Sequence, residues 1–412
     1  MLNILINAYA VNPYWGSEQG MGWNWVINIA RYCNVYVITE GEFKDNIEEA
    51  VMLLPQKDNL HFYYNPLPDK VRQMCWNQGD WRFYWYYRKW QQKTLQIAKG
   101  IIADNRIDVV HQLNMIGFRE PGFLWKIEVI PFVWGPIGGM ELMPLSFLKG
   151  TSMSQYIKVW VKNVINDWQR KHHPRVLQAI HRASALIAAT KGCADVIREY
   201  HHRDVVLINE TGCGQNDALE KAHDFHKPGL ELIWVGKFDS RKQLGLAIAT
   251  MEQLKDIPVK LHIVGDGTEA ESEHYRNMAS QSGVDSQIVW HGLLPNQEVQ
   301  KMMKRSDLLL FTSIMEATST VVLEAISAGL PVLSFNTCGF GPLVKGFAGE
   351  TIELSNPNKS VTEFAEKITY LYGNRDVLNK MRESILMNRK ELSWDSKARR
   401  TVDLYHKILE NA

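Results

Sequence analysis

Two glutamates, Glu316 and Glu324, stand eight residues apart around the hydroxyl-rich turn Thr318-Ser319-Thr320. Residues 321–328 are apolar and predict a helix, so the turn would form the N-terminus of that helix. Unpaired N–H groups and the positive end of the helix dipole favour an anion such as a diphosphate. Carboxylates accept hydrogen bonds from sugar hydroxyls. The pattern therefore indicates a site for phosphate flanked by polyhydroxyl groups.

The elements on either side support this interpretation. The apolar run 308–313 is typical of a parallel strand covered on both faces. Glu316 would then lie just beyond the carboxyl end of a strand, where open α/β sheets bind ligands. Gly329 and Pro331 would end the following helix. The structural alternative is that Glu316 only caps the helix and Glu324 is solvated.

The spacing T-S-x-x-E-x7-E-A-x-x-x-G-x-P-V resembles the signature of the family 4 retaining glycosyltransferases. The residues that carry it are Thr312, Ser313, Glu316, Glu324, Ala325, Gly329, Pro331 and Val332. The resemblance implies an α/β protein of the GT-B fold, with two Rossmann-like, doubly wound parallel-sheet domains facing across a cleft. It places Glu316 on the donor sugar and Glu324 on the donor ribose. Ala317 and Ser319 stand where the family often has glycine.

A second segment, Lys237-Phe-Asp-Ser-Arg-Lys242-Gln, resembles the part of the family that grips the donor diphosphate with two cations. Lys237 replaces the usual Arg, and Gln243 the usual Gly. Lysine supplies charge without the bidentate fork of arginine. The resemblance implies that Lys237 and Lys242 bind the diphosphate, and the predicted helix N-terminus adds Ser319 and Thr320 to the same site. A cluster of surface charge is the alternative for the lysines.

Two further positions in the first half match the family. The loop 16–22 resembles a G-S-E-x-G-x-G-W subset of it, which implies that Gly16 lies against the donor phosphates; an ordinary turn between strand and helix is the alternative. His111 ends a predicted strand as D-x-x-H, which implies that it faces the donor sugar, whereas a lone His there is often structural. Glu316 and His111 are thus the predicted catalytic residues.

At 412 residues the chain is long enough for two domains. Alternating apolar and helical segments predict two parallel sheets. The predicted strands are 3–7, 34–38, 59–64, 108–112, 131–134, 185–189 and 204–208 in the first, and 231–236, 259–265, 288–292, 307–312, 331–335 and 350–354 in the second. The predicted domains are 1–211, joined by a returning C-terminal helix within 394–412, and 230–393. Residues 212–229 form the linker between them.

Composition excludes several classes of protein. Hydrophobic residues make up 45% of the chain and charged residues 22%, as in soluble globular proteins. The five cysteines are scattered and lack metal-ligand spacing, which favours reduced thiols in the cytoplasm. The N-terminus reads as a strand rather than a signal peptide, and no apolar run suggests a membrane span. The absence of GxGxxG excludes nicotinamide-dependent oxidoreduction.

Charge is segregated although the whole chain is only +1. Residues 70–99 and 149–182 each contain seven Lys or Arg and one acid, with interspersed aromatics, so the remainder carries −11. Such segments suit an anionic membrane surface or a lipid-diphosphate acceptor. Nucleic acid is not expected, since no nucleic-acid motif accompanies them. The alternative is a pair of amphipathic helices with aromatics in the core.

These patterns predict a retaining hexosyltransferase in bacterial surface polysaccharide synthesis. The donor would be a UDP- or GDP-linked sugar. The acceptor would be a saccharide or a polyprenyl-diphosphate-linked molecule. Cations and the helix N-terminus would neutralise the leaving group, so neither cofactor nor metal is expected. We expect the enzyme in the cytoplasm, on the inner face of the membrane if the basic segments dock there. The alternatives are a sugar-nucleotide epimerase of GT-B architecture and a catalytically idle, membrane-associated scaffold.

Overall fold

A computed structural model describes residues 1–75, 82–148, 152–213 and 223–411. The chain divides into two compact units. Unit 1 comprises Met1–Met140, Ile165–Thr211 and Trp394–Ala412; unit 2 comprises Glu141–Val164 and Gly212–Ser393. Residues 214–222 of the predicted linker lie outside the described residues.

Each unit is built on one sheet whose paired strands are all parallel. The strands of unit 1 are β1 (Asn3–Ala8), β2 (Asn34–Thr39), β3 (Leu60–Tyr64), β4 (Val109–Asn114), β5 (Phe132–Ile137), β6 (Ala185–Ala188) and β7 (Val206–Leu207). Those of unit 2 are β8 (Leu230–Val235), β9 (Val259–Val264), β10 (Ile288–Gly292), β11 (Leu308–Phe311), β12 (Val332–Phe335) and β13 (Gly349–Ile352). Every one of these strands overlaps a predicted segment.

The strand orders are β3-β2-β1-β4-β5-β6-β7 and β10-β9-β8-β11-β12-β13. In both sheets the first strand of the unit lies beside the fourth, and the chain then continues to the opposite edge. This is the order of a doubly wound α/β sheet, with its switch point between β1 and β4 in unit 1 and between β8 and β11 in unit 2. The predicted fold class is confirmed for both sheets.

Helices connect the strands. The first group is α1 (Ser17–Ile29), α2 (Lys44–Met52), α3 (Asp69–Cys75), α4 (Arg82–Asp104), α5 (Met153–His172), α6 (Pro174–Arg182) and α7 (Lys191–His201). The second group is α8 (Leu244–Glu252), α9 (Glu269–Gln281), α10 (Asn296–Arg305), α11 (Thr320–Ser327), α12 (Gly341–Leu343), α13 (Pro357–Gly373), α14 (Arg375–Asn388) and α15 (Trp394–Glu410).

The apolar strands are explained by layers on both faces of each sheet. In β11, Leu308 and Leu310 join one hydrophobic cluster, whereas Leu309 and Phe311 join the cluster on the other face. Successive side chains of a strand point to opposite faces, so a strand covered on both sides needs an unbroken apolar run. Because both faces of the sheet are covered, polar side chains lie beyond the carboxyl ends of the strands.

Two segments join their unit from a distance in sequence. The face of α15 that carries Ala398, Val402 and Tyr405 lies in the same core cluster as Ile4 of β1, inside unit 1. The segment 141–164 belongs to unit 2, although the sequence analysis assigned it to the first domain.

The assignment of 141–164 is corrected by its contacts. Phe147 is buried in the main cluster of unit 2, with its ring 5.7 Å from that of Phe335. The Ser146 hydroxyl donates to the Ser355 carbonyl at 3.2 Å. The sequence pattern of 141–164 would be the same whichever unit this segment packed against. It therefore does not reveal that the segment packs against unit 2.

Candidate active site

The candidate site lies at the carboxyl ends of β8 and β11, which are adjacent and parallel. Residues 237–242 follow β8, and residues 312–316 follow β11. Because parallel strands end at the same edge of the sheet, these two segments meet there. They carry the predicted cations and the first of the two glutamates.

An ion pair joins the two segments. The Lys242 Nζ lies 2.6 Å from the Glu316 Oε1, and the two side chains are 13% and 16% exposed. The same Nζ lies 5.3 Å from the centre of the Phe311 ring, which ends β11. Partial burial of both partners limits screening by water, so the pair is fixed more firmly than one on an open surface.

Hydrogen bonds hold the two segments together beneath this pair. The Thr312 hydroxyl donates to the Lys242 carbonyl at 2.7 Å and accepts from the Trp234 indole Nε1 at 3.0 Å. The backbone N–H of Ile314 donates to the Arg241 carbonyl at 2.9 Å. The T-S pair of the sequence signature therefore includes a threonine with a structural role, since its buried hydroxyl orients the lysine-bearing loop.

Lys237 and Arg241, the other cations of the loop, differ in their pairing. The Arg241 guanidinium donates to the Asp239 carboxylate at 2.9 Å, which neutralises it locally. Lys237 is exposed and has no charged partner among the described residues. It therefore remains available for an anionic ligand.

Gln243 ends the loop in the left-handed conformation, with φ 53° and ψ 46°. Its Nε2 donates to the Ser240 carbonyl at 2.6 Å. A residue with a side chain is strained there, and glycine is not. The glycine usual at this position in the family resembled is thus explained by backbone geometry, and Gln243 adopts the same backbone at some cost.

The Glu316 loop is supported from the segment after β12. The Glu316 backbone N–H donates to the Cys338 Sγ at 3.3 Å, and Gly339 N–H donates to the Ala317 carbonyl at 3.0 Å. Burial raises the pKa of the Cys338 thiol to about 12, so the sulfur is a neutral acceptor. The sequence carries no signal for this support, since Cys338 is 22 residues away along the chain.

Helix α11 begins at Thr320, and Ser319 is its N-cap. The Ser319 side chain is buried and makes no capping hydrogen bond, whereas Thr320 is exposed. The first-turn N–H groups of a helix have no intrahelical acceptor. They are therefore open to an anion at this end of α11, near the segment that carries Glu316.

Glu324 lies one turn into α11 and accepts a hydrogen bond from the Asn296 Nδ2 at 3.0 Å. Burial raises the pKa of the Glu324 carboxyl, and the Asn296 hydrogen bond opposes this effect. Asn296 begins α10, 28 residues earlier in the chain, and the sequence analysis missed it. A partner so placed orients the carboxylate.

His111 lies within β4 and is fully buried. Its Nδ1 is 2.6 Å from the Tyr405 hydroxyl, and its Nε2 is 2.7 Å from the Gly135 carbonyl. Burial lowers the pKa of His111 to about 4, so the ring is neutral at pH 7. Both ring nitrogens are therefore occupied inside unit 1, and contact with a sugar would require one of these hydrogen bonds to open.

The glycines of the loop 16–22 have different surroundings. Gly16 precedes α1, and a Cβ there would meet no atom within 4 Å. Gly20 and Gly22 lie inside α1, where a Cβ would come within 2.2 Å of the Trp15 and Ala10 carbonyl oxygens, respectively. These two glycines allow the close approach of the chain's own backbone, whereas the contact with a ligand was predicted for Gly16.

Glu18, within the same motif, lines a cavity of about 500 Å³ in unit 1 together with Trp15, Glu40 and Phe43. Its Oε1 accepts from the Ile116 N–H at 2.9 Å, just beyond β4. Burial raises the pKa of the Glu18 carboxyl to about 7. Glu18 is not among the site residues predicted from the sequence.

The basic aromatic segments divide between core and surface. In α4, Tyr87 and Trp90 are buried, whereas Tyr84 and Trp85 are exposed. In α5, all three aromatic side chains are exposed. Trp76 and Trp81 of the first segment and residues 149–151 of the second lie outside the described residues.

Part of the chain is similar to known glycosyltransferases. Residues 215–386 match the family model described as Glycosyl transferases group 1. A lipopolysaccharide 1,6-galactosyltransferase of Salmonella typhimurium is 34% identical over 28% of this chain and 32% of its own length. A putative colanic acid biosynthesis glycosyltransferase, WcaL of Escherichia coli, is 28% identical over 54% of this chain and 56% of its own.

The crystal structure of Anabaena Alr3699/HepE with UDP is similar at TM-score 0.62 and 15% identity, covering 99% of this chain and 100% of that one. At this identity the likeness concerns the fold, which is GT-B. The chain spans about a third to just over half of the two curated relatives. Residues 215–386, which include Lys242, Glu316 and Glu324 at the carboxyl edge of the sheet, are therefore similar to the family described as Glycosyl transferases group 1.

Proposed function

We propose that the chain is a retaining glycosyltransferase that moves a hexose-type sugar from a UDP- or GDP-linked donor to a saccharide or polyprenyl-diphosphate-linked acceptor. Its place would be bacterial surface polysaccharide synthesis at the cytoplasmic side of the membrane. The relatives named for lipopolysaccharide and colanic acid support this class of acceptor. Anabaena Alr3699/HepE, solved with UDP, makes a uridine nucleotide the first donor to test.

One observation carries the proposal: the Lys242–Glu316 pair, 2.6 Å long, lies at the switch point of the unit 2 sheet. Ligands of open α/β sheets bind at this point. A cation and a carboxylate held side by side suit a ligand that is anionic at one end and rich in hydroxyls at the other. A nucleoside-diphosphate sugar has both parts.

Each residue then has a separate task. Lys242, Lys237 and the N–H groups at the start of α11, around Ser319 and Thr320, would neutralise the diphosphate as it departs. Gly16 would contribute at the start of α1. Glu324, held by Asn296, would bind the ribose hydroxyls. Glu316 would bind the donor sugar and, before the donor arrives, hold Lys242 in position.

Transfer would proceed on one face of the sugar. The acceptor hydroxyl oxygen bonds to the anomeric carbon as the bond from that carbon to the diphosphate oxygen breaks, and the acceptor proton passes to the departing phosphate. Because attack and departure share a face, the configuration is retained. Fixed cations stabilise the charge that develops on the leaving group, so we propose that no metal is needed.

The cavity in unit 1 is our candidate for the acceptor. Trp15 and Phe43, whose ring centres are 5.0 Å apart, line it together with the Glu18 and Glu40 carboxyl groups. Aromatic faces pack on the apolar faces of sugar rings, and carboxyl groups bind their hydroxyls. A saccharide acceptor fits this lining better than a purely apolar one.

The decisive experiment is a thermal-shift panel of UDP-glucose, UDP-galactose, GDP-mannose, UDP and GDP on the full chain. A ligand present at a hundred times its Kd stabilises a protein by about 2.7 kcal/mol, so the true donor should give the largest shift. The Lys242→Met variant should lose most of it. If no nucleotide-sugar changes the melting temperature of the wild type, the proposal is wrong.

Product analysis separates the proposal from its alternatives. With the true donor and a saccharide acceptor, NMR of the product should show the anomeric configuration of the donor. An epimerase would instead convert the donor without any acceptor, and an idle scaffold would leave it unchanged. Activity undiminished by EDTA would support metal independence, and activity restored only by Mg²⁺ or Mn²⁺ would contradict it.

A further inference from the structure

Three polar side chains of helix α5, those of Asn163, Asn166 and Arg170, contact the rest of the protein. The Asn163 amide bonds both the N–H and the carbonyl of Met143, at 3.1 and 2.8 Å. Asn166 accepts from the Arg119 guanidinium at 2.6 Å, and Arg170 donates to the Met140 carbonyl at 2.8 Å. These contacts define the inward side of the helix, and they are hydrogen bonds rather than apolar packing.

The outward side of α5 is apolar. Eight large hydrophobic side chains of this helix are between 38% and 73% exposed: Met153, Tyr156, Ile157, Trp160, Val161, Val164, Ile165 and Trp168. Their spacing of three and four residues places them on one face, which covers about half of the helix circumference at 100° per residue. A helix of a globular protein normally buries such a face, so the amphipathicity of α5 is inverted.

The charges beside this face are positive. Lys158 and Lys162 are exposed and have no acidic partner among the described residues. The one acid of α5, Asp167, is paired with Arg170 and with Lys171 at 2.9 Å. The apolar face is therefore bordered by uncompensated cations and presents no uncompensated carboxylate.

We propose that this face of α5, defined by the eight hydrophobic residues above, docks on an anionic lipid bilayer. Tryptophan and tyrosine favour the membrane interface because one end of each ring is apolar and the other is polar. Lysines near such a surface attract the anionic headgroups. A protein partner would also cover apolar area, but unpaired cations beside three aromatic residues match a headgroup layer more closely.

The geometry fits a helix lying in the plane of the membrane. The face runs from Met153 to Trp168, and 16 residues at about 1.5 Å each give a contact about 24 Å long. Apolar side chains would enter the boundary between headgroups and acyl chains, while the inward hydrogen bonds of Asn163 and Asn166 stay intact. Such docking is peripheral. None of the described helices combines the length and apolarity needed to cross a bilayer.

The test is flotation of the full chain with vesicles of phosphatidylcholine alone or with 30% phosphatidylglycerol. The wild type should float with the anionic vesicles, and this binding should fall as NaCl is raised, because salt screens surface charges. Replacing Lys158→Glu and Lys162→Glu together should reduce binding by roughly tenfold or more. Replacing Ile157→Gln and Trp160→Gln should reduce it for both kinds of vesicle.

Matched controls keep net charge and exposed apolar area comparable. Lys304→Glu with Lys380→Glu makes the same charge change on exposed positions of unit 2. Met52→Gln removes an exposed apolar side chain elsewhere. Both control proteins should float as the wild type does. Equal recovery of the wild type and the α5 variants, or binding that ignores lipid charge, would overturn the proposal.

A second copy of the chain is the rival occupant. If the wild type is a dimer by analytical ultracentrifugation, and the Ile157→Gln, Trp160→Gln protein is a monomer with unchanged vesicle binding, the face is a dimer interface and the proposal fails. Vesicle binding does not depend on sugar transfer. A protein that floats but transfers nothing would therefore contradict the proposed function alone.

Discussion

Strands β4 and β11 are equivalent, because each lies beside the first strand of its own sheet. A glutamate lies near the carboxyl end of each strand, but Glu18 and Glu316 have different environments. After β11, Glu316 pairs with Lys242, which follows β8. After β4, the Ile116 N–H is bound by Glu18, which follows β1. The topology thus brings together residues from equivalent strands in both units.

The difference lies in the partner. Among the residues that the structure describes, Glu316 lies beside a cation, whereas the Glu18 carboxyl accepts from a backbone N–H and pairs with no cation. Burial raises the pKa of Glu18 to about 7, and the negative charge of Glu210 adds to this effect. A shared topology therefore fixes where polar groups meet but not which charge they carry. In unit 2 the meeting point suits an ionic ligand, and in unit 1 it holds a carboxyl group that changes charge near neutral pH.

The largest expected effect is that of Glu316→Gln. The change removes the charge that pairs with Lys242 and that we propose binds the donor sugar. We expect kcat/KM to fall by roughly 10²–10³, comparable to the loss of one preorganised charge in other active sites. The melting temperature should stay close to that of the wild type, since one partly exposed ion pair contributes at most about 1 kcal/mol.

Glu366→Gln is the matched control, because Glu366 is exposed and lies on α13 rather than at the edge of the sheet. It should transfer sugar at the wild-type rate. Transfer that survives in Glu316→Gln would remove the functional distinction between the two strand ends, and with it the assignment of the site.

His111→Ala should act on stability rather than on the site of unit 2. It leaves the Tyr405 hydroxyl and the Gly135 carbonyl without their partner, and we expect a loss of about 3 kcal/mol in the free energy of unfolding. Urea denaturation followed by tryptophan fluorescence measures it. His111→Gln, which can still donate and accept, should recover part of the loss.

The opposite outcome for His111 would also be informative. If His111→Ala unfolds at the wild-type urea concentration and yet transfers no sugar, the predicted catalytic role is supported and β4 resembles β11 after all.

Glu18→Gln should change the pH dependence of stability. Between the ordinary value of 4.5 and about 7, the folded chain keeps a proton on Glu18 that the unfolded chain releases, so this carboxyl destabilises the fold increasingly as pH rises through that window. Glutamine removes the penalty. The variant should be more stable than the wild type at pH 8.5, by about 1–2 kcal/mol, and equal to it near pH 4.5.

Thermal melts of both proteins across this pH range measure the difference. A Glu18→Gln protein that is less stable than the wild type at pH 8.5 would mean that the ionised carboxyl is favourable in the fold. The contrast with Glu316 would then disappear.

Gln243→Gly should have the smallest effect. Glycine relieves the left-handed strain, but it loses the hydrogen bond to the Ser240 carbonyl and adds freedom to the unfolded chain. We expect a net stabilisation of about 0.5 kcal/mol in the urea transition of unit 2. Gln243→Ala keeps the strain and loses the bond, so it should be less stable than the wild type. Equal stability of all three would mean that no strain is stored there.

Much of the fold could be predicted from the sequence because it depends on local patterns. Every strand overlaps a predicted segment, since strands covered on both faces must be apolar throughout. The motif around Glu316 could also be recognised, because its residues are close together in the sequence. Lys242, predicted for the same site, forms an ion pair with Glu316. Contacts between distant segments, such as Asn296 with Glu324 and Cys338 with Glu316, left no such pattern.

The two basic aromatic segments show why composition alone was insufficient. Both were predicted to dock on a membrane or to pack in the core. In α4, Trp90 is buried and donates to the Asn65 carbonyl at 2.6 Å. In α5, Trp160 is half exposed because Asn163 supplies the inward contact instead. Which side of a helix faces inward depends on its neighbours, and composition does not record them.

The position of α15 has a consequence for biosynthesis. This 17-residue helix contributes Ala398, Val402 and Tyr405 to the core that begins with β1. During translation, unit 1 therefore waits for residues made after all of unit 2, and its nascent core stays open meanwhile. A chain released before Trp394 would lack the α15 side chains of this core and would leave its apolar surface exposed.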